Sequence, residues 1–435
     1  MLNGLFIIIA LASVLLAAFT GQMQAVTDAM LTSAGDAVSL ALGLVGVMAF
    51  FLGLMRIAQD GGLMTVLSRL VSPFMRLLFP SIPAGSPAMS AMVLNISANM
   101  LGLGNAATPF GIKAIEELDK FNGQKGTATN AMALFLAINT AGLALLPSGI
   151  IGVRAALGSA NAAGIWIPTW FASGCATVMA ITAAIALSRL PRYRATEPAH
   201  TNQAPSPSAA TELSESDVTE TPSPTASPPR RIFAALFWLV FLFLAVRDFY
   251  NRLATDSVDN VIRDMLSFWM LPALVAVFIL YGWVRQVRVY ESLVEGAKEG
   301  FQVALRIIPF LVAILVVIGM FRASGGLDLI IGLIAPVTQI LGMPAEALPM
   351  ALLRPLSGSG ALAVASETMN THGPDSLVGY MVSTYQGSTE TTFYTLAVYF
   401  GAIGVKNTRH TVPACLLADI TGILAATFII NLLFG

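Results

Sequence analysis

The sequence predicts an all-α polytopic membrane protein made of two inverted repeats with broken or re-entrant helices. Three observations carry that prediction. First, of 435 residues 56% are hydrophobic and 11% charged, and the mean hydropathy is +0.76; an average soluble domain has about 25% charged residues. Second, residues 1–27, 37–55, 77–112, 127–153 and 155–188 contain no Asp, Glu, Lys or Arg, and each run reaches the roughly 18 to 20 residues that a spanning helix needs. Third, the same order of motifs occurs once in each half. With 23 basic and 24 acidic residues the net charge is -1. No basic stripe is available to track phosphates, so nucleic acid is excluded as a partner.

Taken in order, the apolar residues 2–20 imitate a secretory signal but lack a basic n-region and a clear small-x-small cleavage site, so they read as a retained first membrane helix. Residues 37–55 follow Asp28 and Asp36 and precede Arg56, Arg69 and Arg76, which orients that span inward. Residues 191–231 hold eight of the 23 prolines and hardly an aliphatic side chain. Such a segment buries too little apolar surface to offset its ordering entropy, which predicts a disordered linker. Arg189, Arg192, Arg194, Arg230 and Arg231 flank it and place it in the cytoplasm. The chain thus divides into a membrane half at 1–190, the linker at 191–231 and a second membrane half at 232–435.

In the second half, residues 232–250 run outward and 267–284 return to Arg285 and Arg288. Residues 290–306 alternate charged and apolar positions and read as a helix lying on the cytoplasmic surface. Residues 307–321 run outward again, and the last span, 413–434, follows Lys406, Arg409 and His410 on the inner side. Laid on each other, the halves match at Leu54-Met55-Arg56-Ile57-Ala58-Gln59-Asp60-Gly61-Gly62-Leu63 and Gly319-Met320-Phe321-Arg322-Ala323-Ser324-Gly325-Gly326-Leu327. An amphipathic stretch with a proline follows each (Pro73, Pro336), then a second proline (Pro80, Pro344). The matched arm runs inward in the first half and outward in the second, the pattern of an inverted repeat with a solute site near the midplane.

Four segments of helix length carry polar residues where a plain span would have none. The first holds Asn95, Ser97, Asn99, Asn105 and Thr108, with Gly102, Gly104 and Pro109 predicting a helix broken near its middle. Its partner reads Arg354-Pro355-Leu356-Ser357-Gly358-Ser359-Gly360. The third holds Asn139 and Thr140 before Pro147, and the fourth Gln386, Ser388, Thr389 and Glu390. Unwound turns here would offer half-helix N-termini to an anionic or strongly polar group; tight helix packing is the alternative for isolated hydroxyls. An ionised side chain at mid-bilayer costs roughly 2.5 to 3.5 kcal/mol at least, so Glu390, Asp419 and Arg354 stand out. Glu390 is a candidate for solute binding and for a coupling proton, and Asp419 for a coupling ion. Arg354 is a candidate for holding a carboxylate or phosphate, or for pairing with Glu390 or Glu367 to lock the fold.

Cys175 and Cys415 read as buried inert thiols. With His200, His372 and His410 scattered, no disulfide framework or metal site is expected. Neither a nucleotide loop nor a nucleophile–base pair occurs, so no cofactor and no enzymatic activity is expected.

These residues make the sequence resemble a known family. The first half, through Ala18-Phe19-Thr20-Gly21, residues 94–110, Thr129-Asn130-Ala131-Met132 and Asn139-Thr140, resembles spore maturation protein A. The second, through Gly296-Ala297-Lys298-Glu299-Gly300-Phe301, residues 354–361, 386–392 and 406–410, resembles spore maturation protein B. The whole chain looks like the fused A–B form, found also in bacteria that make no spores. Both halves are similar to the nucleoside-recognition or Gate group, which shares features with concentrative nucleoside transporters and the ferrous-iron transporter membrane region. The resemblance implies a transport-like core in the bacterial inner membrane and a nucleoside-like solute, and, through the spore cortex, peptide or cell-wall-derived ones.

The leading expectation is therefore a secondary transporter working by alternating access, coupled to H+ or Na+. The alternative is a non-transporting membrane scaffold that regulates cell-wall enzymes. Candidate partners are the lipid bilayer, a small polar solute, a second copy in a homo-oligomer and a cell-wall enzyme.

Overall fold

Backbone in an apolar solvent must satisfy its own hydrogen bonds, and helices do so within one segment. The computed structural model of the chain is accordingly helical almost throughout; it describes residues 2–102, 104–198, 228–254, 258–326, 329, 336, 338 and 340–435. Among the described residues the only bridge is an isolated one between Thr127 and Asn407. The first half holds α1 (Leu2–Thr20), α2 (Met23–Asp60), α3 (Leu63–Leu78), α4 (Pro87–Met100), α5 (Gly104–Lys120), α6 (Asn130–Thr140), α7 (Ser148–Ala156), α8 (Trp166–Ser188) and the single turn α9 (Pro191–Arg194). The second holds α10 (Pro228–Leu253), α11 (Val258–Val284), α12 (Val289–Ala323), α13 (Leu348–Leu353), α14 (Gly358–His372), α15 (Leu377–Ser388), α16 (Thr392–Ala402) and α17 (Thr411–Phe434). With long uncharged helices such as Ala162–Ser188, Pro229–Leu253 and Thr411–Phe434, the protein is a polytopic helical membrane protein.

Corresponding helices of the two halves pack against each other in opposite directions. Gly53 of α2 touches Leu293 and Gly296 of α12, whereas Gly319 of α12 touches Ser33; the two helices therefore lie antiparallel. In the same way Ala176 of α8 meets Gly422 of α17, and Phe171 meets Phe428 with ring centroids 6.4 Å apart. Antiparallel pairing of equivalent helices is what an inverted repeat produces. The glycine pairs at 61–62 and 325–326 mark real turns. Gly62 and Gly325 both adopt left-handed backbone, with φ of 77° and 78°, a conformation only glycine takes at little cost. After the first turn the chain bends by 73° into α3. Most of the matching stretch before Pro344 lies outside the described residues.

Two expectations change here. Residues 290–306 are not a separate surface helix but the first half of α12, a continuous helix of 35 residues. At 1.5 Å per residue α12 is about 53 Å long and α2 about 57 Å, well beyond a hydrocarbon core of about 30 Å. Their shared overhang carries the charge: Arg56 bridges Asp60 at 3.1 Å and Glu299 at 3.0 Å, and Ser292 Oγ donates to Asp60 at 2.6 Å. The linker is also narrower than 191–231 at its edges. Residues 191–194 form α9, Pro198 is buried, and α10 begins at Pro228. The remainder, 199–227, lies outside the described residues.

A crossing of broken helices as the candidate solute site

Each half supplies one helical hairpin and one broken helix. In the first hairpin, Pro87 starts α4 behind the Ser86 cap, whose Oγ accepts from the Met89 amide at 3.2 Å. Asn95 Nδ2 donates to the Ala107 carbonyl at 2.9 Å, so α5 runs back along α4. The reversal sits at Gly102, whose φ is +74° and whose Cβ would lie 2.8 Å from the Leu146 carbonyl. Both backbone and space exclude any other residue there. The break expected near the middle of this segment therefore lies at residues 101–102 and makes the segment re-entrant, while Pro109 lies inside α5. The second hairpin is α13–α14, with its tip at residues 354–357 and Ser357 Oγ capping α14 through the Gly360 amide at 3.1 Å.

The broken helices are α6–α7 and α15–α16. Thr129 and Ser376 cap α6 and α15 by accepting from the Met132 amide at 3.2 Å and the Gly379 amide at 3.0 Å. Helix α6 starts beside Arg409, which donates to the Ala128 carbonyl at 3.1 Å and Asn130 Oδ1 at 2.9 Å. Helix α7 ends beside Asp375, just before α15. Beyond α16, the Lys406 amide donates back to Gly126 at 2.9 Å. The two broken helices thus traverse the molecule in opposite directions. Each hairpin tip binds the break of its own half, Leu145 N–H donating to the Met100 carbonyl at 2.7 Å and Phe393 N–H to the Pro355 carbonyl at 3.0 Å. The breaks meet each other: Glu390 N–H donates to the Thr140 carbonyl at 2.9 Å, and a Cβ on Gly142 would lie 2.8 Å from the Thr389 carbonyl carbon.

Not only helix N-termini face the break, as the sequence suggests, but also the C-terminal ends of α6 and α15, whose free carbonyls carry partial negative charge. Arg354 answers those of α15. It is 2% exposed, and its Nη2 donates to the carbonyls of Gln386, at 3.2 Å, and of Thr389, while Nη1 donates to Thr391 Oγ1 at 3.0 Å. Glu390 Oε2 lies 3.7 Å from Nη2, and Glu367 pairs with Arg322 instead. Nη1 and Nη2 are therefore committed to unwound backbone and the Thr391 hydroxyl, whereas Nε is buried with no partner among the described residues. Glu390 itself is about half exposed, at 52% of its side chain.

Around the crossing, Asn99 Nδ2 donates to Asn139 Oδ1 at 2.9 Å, and Asp419 Oδ2 accepts from Thr392 Oγ1 at 2.6 Å. Buried oxygens without a partner among the described residues include Gln386 Oε1, Ser388 Oγ, Asp419 Oδ1, Asn95 Oδ1 and Thr169 Oγ1. All can accept a hydrogen bond or ligate a hard cation. The structure thus gathers Asn99, Asn139, Thr140, Arg354, Gln386, Ser388, Thr389, Glu390 and Asp419. Asn95 lies farther along the hairpin, donating to Tyr399 Oη at 3.2 Å. Ser97 turns toward α3 and accepts from Ser68 at 3.2 Å, and Ser357 is used as a cap. Thr108 and Ser359 are half-buried on the early turns of α5 and α14; the Asn105 side chain lies outside the described residues.

Sequence reasoning misses Thr169, a lone hydroxyl in an apolar run, which the fold sets against Gly387. It misses Arg154 too. That side chain is fully buried and donates to Asp375 at 2.9 Å, Ser383 at 3.1 Å, Ser159 at 3.2 Å and the carbonyls of Pro374, Asn161 and Ala162. It fastens α7 of one half to the α14–α15 turn of the other. At the opposite end His410 is buried beside Arg409, and burial and that charge push its pKa down to about 4, so the ring is neutral at physiological pH.

The arrangement of hairpins and breaks spans two stretches, residues 41–160 and 304–406, that match the Gate family, described as nucleoside recognition. The chain belongs to the Gate family. Two curated relatives, both from Bacillus subtilis (strain 168), are similar to it. Spore maturation protein B is 47% identical over 174 residues, which is 40% of this chain and 98% of the relative. Spore maturation protein A is 39% identical over 194 residues, 45% of this chain and 97% of the relative. Those lengths are close to the two halves of this Gate protein. No solved structure is significantly similar.

Proposed function

We propose that this protein is a multi-pass inner-membrane transporter that moves a small polar solute, nucleoside-like, peptide or cell-wall-derived, by alternating access around the crossing. The observation that carries the reading is the crossing itself: two hairpin tips and two helix breaks, related by an inverted repeat, converge on buried acceptors with no partner. Orphaned acceptors at mid-depth cost roughly 1 to 3 kcal/mol each; a solute presenting N–H or O–H groups, or a cation, would offset that. Glu390 supports the same reading. A carboxylate at mid-depth that is half exposed belongs at the mouth of a wet cavity, because lipid would exact the cost of a bare charge. Glu390 and Asp419 then serve coupling to H+ or Na+. The Arg409 end, with Arg189, Arg192, Arg194 and Lys406, faces the cytoplasm.

Uptake into proteoliposomes tests this, with labelled nucleosides, dipeptides and amino-sugar peptides under imposed proton and sodium gradients. Glu390→Gln and Asp419→Asn are each expected to lower gradient-driven flux at least tenfold while the protein stays folded and inserted. Full flux in both variants would contradict the assignment.

A further inference from the structure

We infer that the groove between α10 and α11 is a binding site for an anionic glycerophospholipid of the inner leaflet. The groove has a volume of about 420 Å³, with Arg231 and Arg285 at its mouth, Trp238 and Tyr281 on its walls and Ala234, Val277, Leu280 and Val284 as its apolar lining. Neither arginine pairs with a carboxylate among the described residues: Glu291, the acid nearest Arg285 in sequence, bridges neither, and Glu295 and Glu299 are taken by Lys298 and Arg56. Tyr281 Oη is buried without a hydrogen-bond partner, and Arg285 lies over the Tyr281 ring, 5.6 Å from its centroid. Arg230 also donates to the Trp283 carbonyl at 2.9 Å and stacks on its ring at 5.3 Å. That contact fixes the start of α10 to the end of α11 and holds the groove open beside it.

The occupant follows from shape and charge. Seven residues separate Arg231 from Trp238 along α10, so the groove runs about 10 Å from its charged mouth into the apolar zone. A small anion would use the mouth and leave that depth empty, whereas a phospholipid fills both, phosphate on the arginines and Tyr281 hydroxyl, acyl chain along the lining. Helix α10 has no buried residue from Pro229 to Leu253, so this side of the protein is free to meet lipid. Paired arginines between helices at the cytoplasmic interface suit anionic headgroups. The site is remote from the helix crossing and does not rest on the proposed transport.

Native mass spectrometry of the full chain, supplied with phosphatidylglycerol or phosphatidylcholine, tests it. The expected result is phosphatidylglycerol retained at least tenfold better than phosphatidylcholine, with the preference lost in Arg231→Gln/Arg285→Gln and undiminished by millimolar inorganic phosphate. Trp238→Ala, which keeps both charges, is expected to weaken retention severalfold and guards against misfolding of the arginine variant. Equal retention of both lipids, a double variant that keeps the preference, or displacement by phosphate would each overturn the inference.

Discussion

Arg354→Met is expected to destabilise the protein by about 3–5 kcal/mol, the cost of removing one partner from a buried, hydrogen-bonded charge. The carbonyls of Gln386 and Thr389 and the Thr391 hydroxyl would lose their donor at once, at a position only 2% exposed. Methionine fills the volume, so the loss is electrostatic rather than a cavity. Arg354→Lys should recover only part, because one ammonium cannot reproduce the planar fork that reaches two carbonyls and a hydroxyl. Thermal melts in detergent check both. A methionine variant that melts with the wild type would mean that the break does not depend on the guanidinium.

Arg154→Met is expected to cost a similar 3–5 kcal/mol and to separate the two halves at one end. The side chain is wholly buried, serves Asp375 and three carbonyls, and lies 4.3 Å over the Tyr380 ring. Asp375→Asn should cost much less, about 1 kcal/mol, because that carboxylate is 35% exposed and exposed pairs are screened. Ser159 donates to its Oδ1 at 2.6 Å and the Ala160 amide to its Oδ2 at 2.7 Å, and asparagine keeps one of these acceptors. The difference between the two melting midpoints is the reading; equal, small losses would show that the halves are held elsewhere.

Much of the architecture was legible because membrane burial writes itself into composition. Charge-free runs located the helices, and the two glycine turns located the repeat. Arg354, Glu390 and Asp419 stood out because charge is scarce in such runs, and all three came together at the crossing. The hairpins were harder. Gly102 shows that the helix stops, but only the contacts made after the turn, Asn95 with the Ala107 carbonyl and Gly102 against the Leu146 carbonyl, decide that it folds back. Arg154 is hidden for a related reason: half of its hydrogen-bond partners are carbonyls, which leave no trace in a sequence. The first half of α12 was misread because its alternating charges face the overhang of α2, a partner more than 200 residues away, as the Arg56–Glu299 bridge shows.

The most direct test of the central claim, that the crossing binds a solute, is thermal stabilisation of the purified protein by nucleosides, short peptides, muropeptides, sodium and divalent cations. Ligand that binds only the native state raises the melting midpoint by mass action. At least one probe is expected to give a saturable rise that disappears in Ser388→Ala and Asp419→Asn. A well-folded protein that responds to none, or whose response survives both substitutions, would contradict a site at the crossing and favour a membrane scaffold for cell-wall enzymes.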